Sequence, residues 1–366
     1  MRLRVRAHIF FTAVRAYYSI SKAVRTLKAF IEFNRKLHGD RGNLKIIQAG
    51  RQYFFGLYAP GYPSRAFDDY IRGELNRIIP VKKKTNALSF IFFAITRKCP
   101  LQCEHCFEWN NLNKKETFAL DELRQIVASF QLEGVSQFHF SGGEPMVRIR
   151  DLEELIRTAG KRTEFWILTS GFNLTAENAR RLKQAGATGV VVSLDHYDAD
   201  THNAFRGMST SFEWVRDGIR NALDQQLVVA ATICATRSFV TWDNLMRYTE
   251  LVKSMGVHFV QILEPKQAGR YAEKSVTLSL EQLELLERFY TTLNYEKEFR
   301  DYPVIIYHGY HQRRMGCMLA GKRNIYIDSA GDVNACPFCQ TKNYNIRDRL
   351  HESRAALHAS MSCPRY

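Results

Sequence analysis

From about residue 88 the chain alternates short apolar runs with amphipathic stretches. Apolar runs that read as strands lie at 88–96, 135–141, 164–170, 188–194, 227–235 and 257–263. Segments with helical periodicity lie between them at 119–132, 151–161, 175–186, 210–225 and 243–256. Six strands alternating with helices predict a parallel α/β unit, and the even spacing favours a partial or full barrel over an open doubly wound sheet. Barrels gather their chemistry at the C-terminal ends of the strands, so reactive residues should follow the apolar runs directly.

The first 86 residues have a different texture. Ala13, Tyr17, Ile20, Val24, Leu27 and Ile31 recur at spacings of three and four, the pattern of one amphipathic helix. Arg15, Lys22, Arg25 and Lys36 fall roughly opposite that stripe, with Lys28 and Arg35 on its flank. Lys45 to Pro63 is rich in aromatic and turn residues, including Tyr53, Phe54, Phe55, Tyr58 and Tyr62, and reads as a short strand pair or aromatic loop. A helix at 65–78 and a linker through Pro80 and Lys82 to Lys84 bring the chain to the main domain near residue 87.

Composition narrows the classes. With 45% hydrophobic and 24% charged residues over 366 positions, the chain can bury one large core or several ordinary ones, and 21 Gly with 9 Pro exclude collagen-like and low-complexity types. The net charge of +15 alone would suggest nucleic acid or an anionic membrane. Its distribution is uneven: residues 1–86 hold 18 Lys and Arg against 5 Asp and Glu, residues 87–366 hold 34 against 32, and residues 1–31 hold no acid. The near-neutral core speaks against a nucleic-acid partner. For the N-terminal helix three readings stay open: a peripheral membrane contact through residues 1–40, a helix packed on its own protein with a solvated basic face, and a transit peptide. No apolar stretch is long enough to span a bilayer and no secretory cleavage site is evident, so a cytoplasmic location, with or without peripheral membrane association, is expected.

Eight cysteines in such a chain point to metal binding or catalysis before disulfides. The first expected strand runs into Cys99, Cys103 and Cys106, spaced C-x3-C-x2-C. Three thiolates on a four-iron, four-sulfur cluster leave one iron open, whereas a structural zinc site wants a fourth ligand. His105 sits between two of the cysteines, where its ring would pack beside a cluster. Ser141-Gly142-Gly143-Glu144-Pro145 ends the second strand, Thr169-Ser170-Gly171 the third, and Ser193-Leu194-Asp195 the fourth, followed by His202 and Arg206-Gly207. Gln261 to Pro265 closes the sixth.

The cysteine loop with the following GGE resembles the radical S-adenosylmethionine (SAM) superfamily, over about residues 88–265. The resemblance implies a partial (β/α)6 TIM-type barrel, with a basic helical extension before it and a small Cys-rich extension after it. It also implies a [4Fe-4S] cluster on Cys99, Cys103 and Cys106. The SAM amino group would be held by Gly142, Gly143 and Glu144, its ribose and carboxylate by Ser170, Ser193, Asp195 and Arg206, and adenine by an apolar contact near 261–265. Reductive cleavage of SAM to a 5′-deoxyadenosyl radical would follow, with flavodoxin or ferredoxin as electron donor.

Cys317, Cys336, Cys339 and Cys363 form a second group, with Arg323 to Asn334 reading as a hairpin that turns at Ser329 to Asp332. Cys317, Gly331 and Cys336 are similar in spacing to the opening of a SPASM domain. Four cysteines suit a shortened, Twitch-like extension with one auxiliary [4Fe-4S] cluster, and a structural zinc site suits them too. Cys234, within an apolar run, reads as a small buried hydrophobe. The expected organisation is an extension at 1–86, a core at 87–300 and an auxiliary domain at 301–366. The expected substrate is a peptide or protein, the alternative a lipid or isoprenoid, and the alternative of another class a zinc-binding regulator contacting nucleic acid.

Overall fold

The computed structural model describes residues 2–38, 45–81, 88–350, Met361 and Cys363. The lysine run at 82–84 and the expected domain start at 87 lie outside the described residues. Helices α1 (Arg2–Tyr17) and α2 (Ile20–His38) precede a small antiparallel hairpin of β1 (Ile47–Ala49) and β2 (Gln52–Phe54), then α3 (Arg65–Ile78). The single N-terminal helix expected from periodicity is two, because Tyr18 takes a left-handed backbone (φ 51°) that ends α1.

The regular alternation then begins with β3 (Phe90–Thr96), α4 (Leu120–Leu132), β4 (Gln137–Gly142), α5 (Ile149–Thr158), β5 (Glu164–Thr169), α6 (Ala176–Ala185) and β6 (Gly189–Ser193). It continues through α7 (Ala199–Arg206), α8 (Ser211–Asp224), β7 (Val228–Cys234), α9 (Trp242–Ser254), β8 (Phe259–Leu263), α10 (Leu280–Tyr295) and β9 (Val304–Tyr307). Helix α11 (His308–Met315) leads to β10 (Asn324–Ile327), β11 (Asp332–Asn334) and β12 (Tyr344–Asn345). All six expected strands are present as β3 to β8. Local signals are strong: α6 starts at a Thr175 cap, whose side chain accepts from Asn178 N, and ends at left-handed Gly186.

One sheet carries ten of the strands, in the order β12-β11-β10-β3-β4-β5-β6-β7-β8-β9. Strands β10 through β9 in that order pair in parallel, and β11 and β12 are antiparallel additions. Strand β9 was not expected from sequence, and β10 joins the first strand of the core, pairing Asn324 to Ile327 with Phe90 to Phe93. The Cys-rich extension is therefore hydrogen-bonded into the core sheet.

The aromatic N-terminal segment enters the barrel. Phe54 and Leu57 pack with Trp166, Val228, Phe259 and Val304, of which the last three open their strands, so this segment plugs the N-terminal mouth. Tyr58 goes deeper, stacking on Phe90 at 4.6 Å and accepting a 2.6 Å hydrogen bond from Gln261 Nε2. Outside, Val5, Ala13, Tyr17 and Ala23 pack on Phe67, Ile71 and Leu75 of α3, and Tyr17 Oη donates to the Leu75 and Ile79 carbonyls. The apolar stripe expected on the N-terminal helix thus divides. Ala13 and Tyr17 turn inward, and Ile20, Val24 and Ile31 remain exposed.

Candidate functional site

A cavity of about 330 Å³ opens at the C-terminal ends of the strands. All eight cysteines line it: Cys99, Cys103 and Cys106 after β3, Cys234 at the end of β7, and Cys317, Cys336, Cys339 and Cys363 from the C-terminal segment. Gly142, Gly143, Glu144, Ser170, Ser193, Asp195 and Arg206 stand on the same wall.

The ends of β3 and β4 meet without space for side chains. A Cβ on Gly142 would lie 2.4 Å from the Thr96 carbonyl oxygen, and one on Gly143 2.3 Å from that of Lys98. Gly142 also has φ 130°. Two backbone hydrogen bonds, Gly143 N to Thr96 O (2.9 Å) and Glu144 N to Lys98 O (2.7 Å), lock the cysteine loop onto this strand end. The glycines serve first to hold the cysteine loop.

Glu144, on the cavity lining, is held by donors of the protein itself. Its carboxylate accepts from Met146 N (3.0 Å), Thr169 Oγ1 (2.7 Å), Ser170 N (2.7 Å) and Ser170 Oγ (2.6 Å), which fills both oxygens. At 1% exposure a carboxylate must find partners inside the protein, and these tie the end of β4 to the end of β5. Burial raises its pKa more than the hydrogen bonds lower it. The Ser170 hydroxyl is committed to the same latch.

Asp195 and Arg206 also meet each other. Their 2.5 Å ion pair is buried, Arg206 Nη1 lies 3.6 Å from Cys103 Sγ, and Asp195 Oδ1 accepts from Cys234 N. Burial alone would raise the Asp195 carboxyl, yet Arg206, His105 and His202 hold it below its ordinary value. His105 stacks on Phe205 with centroids 4.8 Å apart, and burial lowers its pKa to about 4. Burial likewise pushes the Cys99 and Cys106 thiols up to about 12.

The second cysteine group is knit to the first. Cys339 Sγ lies 2.9 Å from Cys336 Sγ and 3.5 Å from Cys363 Sγ, and Gln312 Nε2 approaches Cys317 Sγ at 3.8 Å. Phe107, next to Cys106, packs edge-on against Phe338 of the Cys336–Cys339 loop and against Tyr326 of β10. Tyr326 Oη donates to buried Glu108, and Gln340 Nε2 donates to the Phe107 carbonyl. The hairpin of β10 and β11 turns where expected, with Asp328 Oδ1 accepting from Ala330 N and Asp332 N.

The donor set suits an iron–sulfur cluster with a polar ligand beside it. Three thiols stand on one loop at a strand end, and Ser141 Oγ, Thr232 Oγ1 and Asn324 Oδ1 are buried on the cavity wall without a hydrogen-bond partner among the described residues. Thr232 and Asn324 were not identified from sequence. Each lies inside an apolar strand pattern that gives no sign of which face meets the cavity. Cys234, read as a small hydrophobe, is buried but also forms part of this wall. Among the described residues, no group of three or more His, Cys, Asp or Glu side chains is arranged to hold a single metal ion.

A parallel barrel with three cysteines on the loop after its first strand and a glycine-rich latch after its second defines a cluster-binding α/β class. Residues 93–262 match the Radical SAM superfamily, so the chain carries a radical SAM domain, and its relatives are named as synthases and cyclases. A domain of that family implies a [4Fe-4S] cluster and SAM. Among similar proteins, the AdoMet-dependent heme synthase of Nitratidesulfovibrio vulgaris is 27% identical over 203 residues, covering 55% of each chain. The PqqA peptide cyclase of Granulibacter bethesdensis is 28% identical over 259 residues, covering 68% of this chain and 67% of the relative. The chain spans 55 to 63% of the length of the first curated relatives it matches. In fold it is similar to Streptococcus suis SuiB bound to precursor peptide SuiA, with TM-score 0.58 at 14% identity over 94% of this chain and 81% of that one. It is also similar to anSMEcpe with bound AdoMet, with TM-score 0.56 at 19% identity over 73% and 82%.

Proposed function

We propose that this protein cleaves SAM reductively to abstract a hydrogen atom from a peptide, and that Cys317, Cys336, Cys339 and Cys363 hold an auxiliary iron–sulfur cluster. The observation that carries the reading is the convergence of all eight cysteines on one cavity beside the GGE latch. Cys99, Cys103 and Cys106 would hold the first cluster, which together with SAM would supply a 5′-deoxyadenosyl radical on one-electron reduction. The chain's own residues do the positioning. Glycines 142 and 143 fix the loop, Arg206 places positive charge against Cys103, and Ser141, Thr232 and Asn324 offer unpaired polar atoms to the ligand. Plugging of the mouth by Phe54, Leu57 and Tyr58 keeps water from reaching the cavity through the barrel.

The peptide as substrate is supported by the PqqA peptide cyclase relatives, and the fold resemblance to SuiB agrees with it. A reducing partner such as flavodoxin or ferredoxin is required. The Phe107–Phe338 contact gives the auxiliary site a packed route to the first cluster, suited to passing an electron as the substrate radical is quenched.

The test is anaerobic reconstitution with iron counting and a 5′-deoxyadenosine assay. About eight irons and SAM-dependent product are expected, with product abolished by joint substitution of Cys99, Cys103 and Cys106. Replacing Cys336 and Cys339 by Ser should leave about four irons and SAM cleavage while lowering turnover on the peptide. Zinc in the second site, or a wild-type chain without iron, refutes the two-cluster assignment.

A further inference from the structure

We propose that the outer face of α1 and α2 docks on an anionic bilayer, independently of which molecule the active site modifies. Six of the large hydrophobic residues exposed among the described positions fall on these two helices and the turn joining them: Leu3, Phe11, Tyr18, Ile20, Val24 and Ile31. The others, Trp109, Leu132, Val147 and Leu280, are scattered over the rest of the molecule. On α2, Ile20, Val24 and Ile31 fall within about 40° of one another around the helix. They form a ridge apart from the face carrying Ala23, which packs on α3, and from Phe30 and Phe33, which line a cavity of about 220 Å³ against β9.

Cations are exposed on the helices that carry the ridge. Arg4, Arg6, Arg15, Arg25 and Lys28 are exposed on the same helices, and the only acid there, Glu32, pairs with Lys36 at 3.2 Å. This charge selects the occupant. A second copy of the chain would bring two acid-poor basic faces together, and a nucleic acid would leave the apolar ridge in water. An anionic bilayer receives the apolar side chains at its acyl boundary and the cations at its headgroups. No described helix is long and apolar enough to cross a membrane, so the contact is peripheral. The helices are held for this task by inner contacts that leave the ridge free of packing: Tyr17 to the α3 carbonyls, and Arg323 over the Phe33 ring.

The experiment is co-sedimentation of the full chain with vesicles of phosphatidylcholine, alone or mixed with phosphatidylglycerol. Binding to the mixed vesicles is expected, weakening with added salt. I20N/V24N/I31N should lower the partition coefficient by roughly tenfold or more, R15Q/R25Q/K28Q should do so on anionic vesicles alone, and L132N/L280N should bind like the wild type. Circular dichroism establishes that each variant keeps its helices, and if the apolar variant unfolds the charge variant decides. The proposal is overturned by equal sedimentation with neutral and anionic vesicles, or by wild-type binding of the charge variant. It is also overturned by a lipid-free dimer that I20N/V24N/I31N dissociates, since the ridge would then be an interface between copies.

Discussion

Glu164 illustrates how one buried carboxyl sets a pH dependence. It accepts from Gly61 N at 2.8 Å and Gln137 Nε2 at 3.2 Å at the base of β5, and burial raises its pKa to about 7. The unfolded value is about 4.3, so between these pH values the native state holds a proton that the unfolded chain has lost. Stability from this group is therefore fully present below about pH 4.3 and declines as pH rises to 7, by about 3 to 4 kcal/mol in all. E164Q should flatten the urea-midpoint profile between pH 5 and 8 and gain stability at pH 8; an unchanged slope would falsify the assignment. Among the site residues, the three clustered cysteines and GGE were legible because their spacing is local. The protein partners of Glu144 and Arg206 were not, because each is remote in sequence, Ser170 for one and Cys103 for the other. A motif shows which residues stand together, and burial then dictates which of them satisfy one another before any ligand does.

At the scale of elements, the strand and helix alternation of the core was readable because period-2 and period-3.6 patterns are written into contiguous residues. Strand β9 escaped because four residues, Val304 to Tyr307, are too short to show a period. The place of β10 escaped because apolar composition does not name a pairing partner. That pairing couples the two cysteine groups, and the Tyr326–Glu108 hydrogen bond is its polar fastening, at 2.5 Å between buried groups. Y326F removes a hydroxyl that donates to a carboxyl whose pKa burial already raises, and should cost about 1 to 3 kcal/mol in chemical denaturation. Iron retained at the first site should fall in the same variant, because Glu108 continues the cysteine loop. Loss of stability with iron content unchanged would separate the hairpin from the loop.

Over the whole molecule, the uneven charge corresponds to a division of labour between a near-neutral barrel and a basic helical face, but not to a detachable tail. The aromatic segment that follows the basic helices is built into the barrel floor. Leu57 is 1% exposed among Trp166, Val228 and Phe259, so L57A should destabilise the fold by about 2 to 5 kcal/mol even though it lies far from the cavity in sequence. A thermal or urea midpoint measures this, and a change below about 1 kcal/mol would show that the plug packs loosely. Composition could mark this segment as aromatic. That it folds back under strands more than a hundred residues downstream is a property of the curved sheet as a whole and has no local signature.

The pairing of Phe90 with Asn324 also has a consequence for synthesis. At about 5–20 residues per second, the first core strand emerges from the ribosome on the order of 10–50 seconds before its neighbour on that side exists. Through that interval the apolar edge from Phe90 to Phe93 lacks its β10 partner. Iron loading before the hairpin arrives would meet a loop whose Phe107–Glu108 anchor is still missing. Nonsense truncation between residues 97 and 323 therefore leaves the β3 edge without its β10 partner, an open strand edge prone to pairing with other chains.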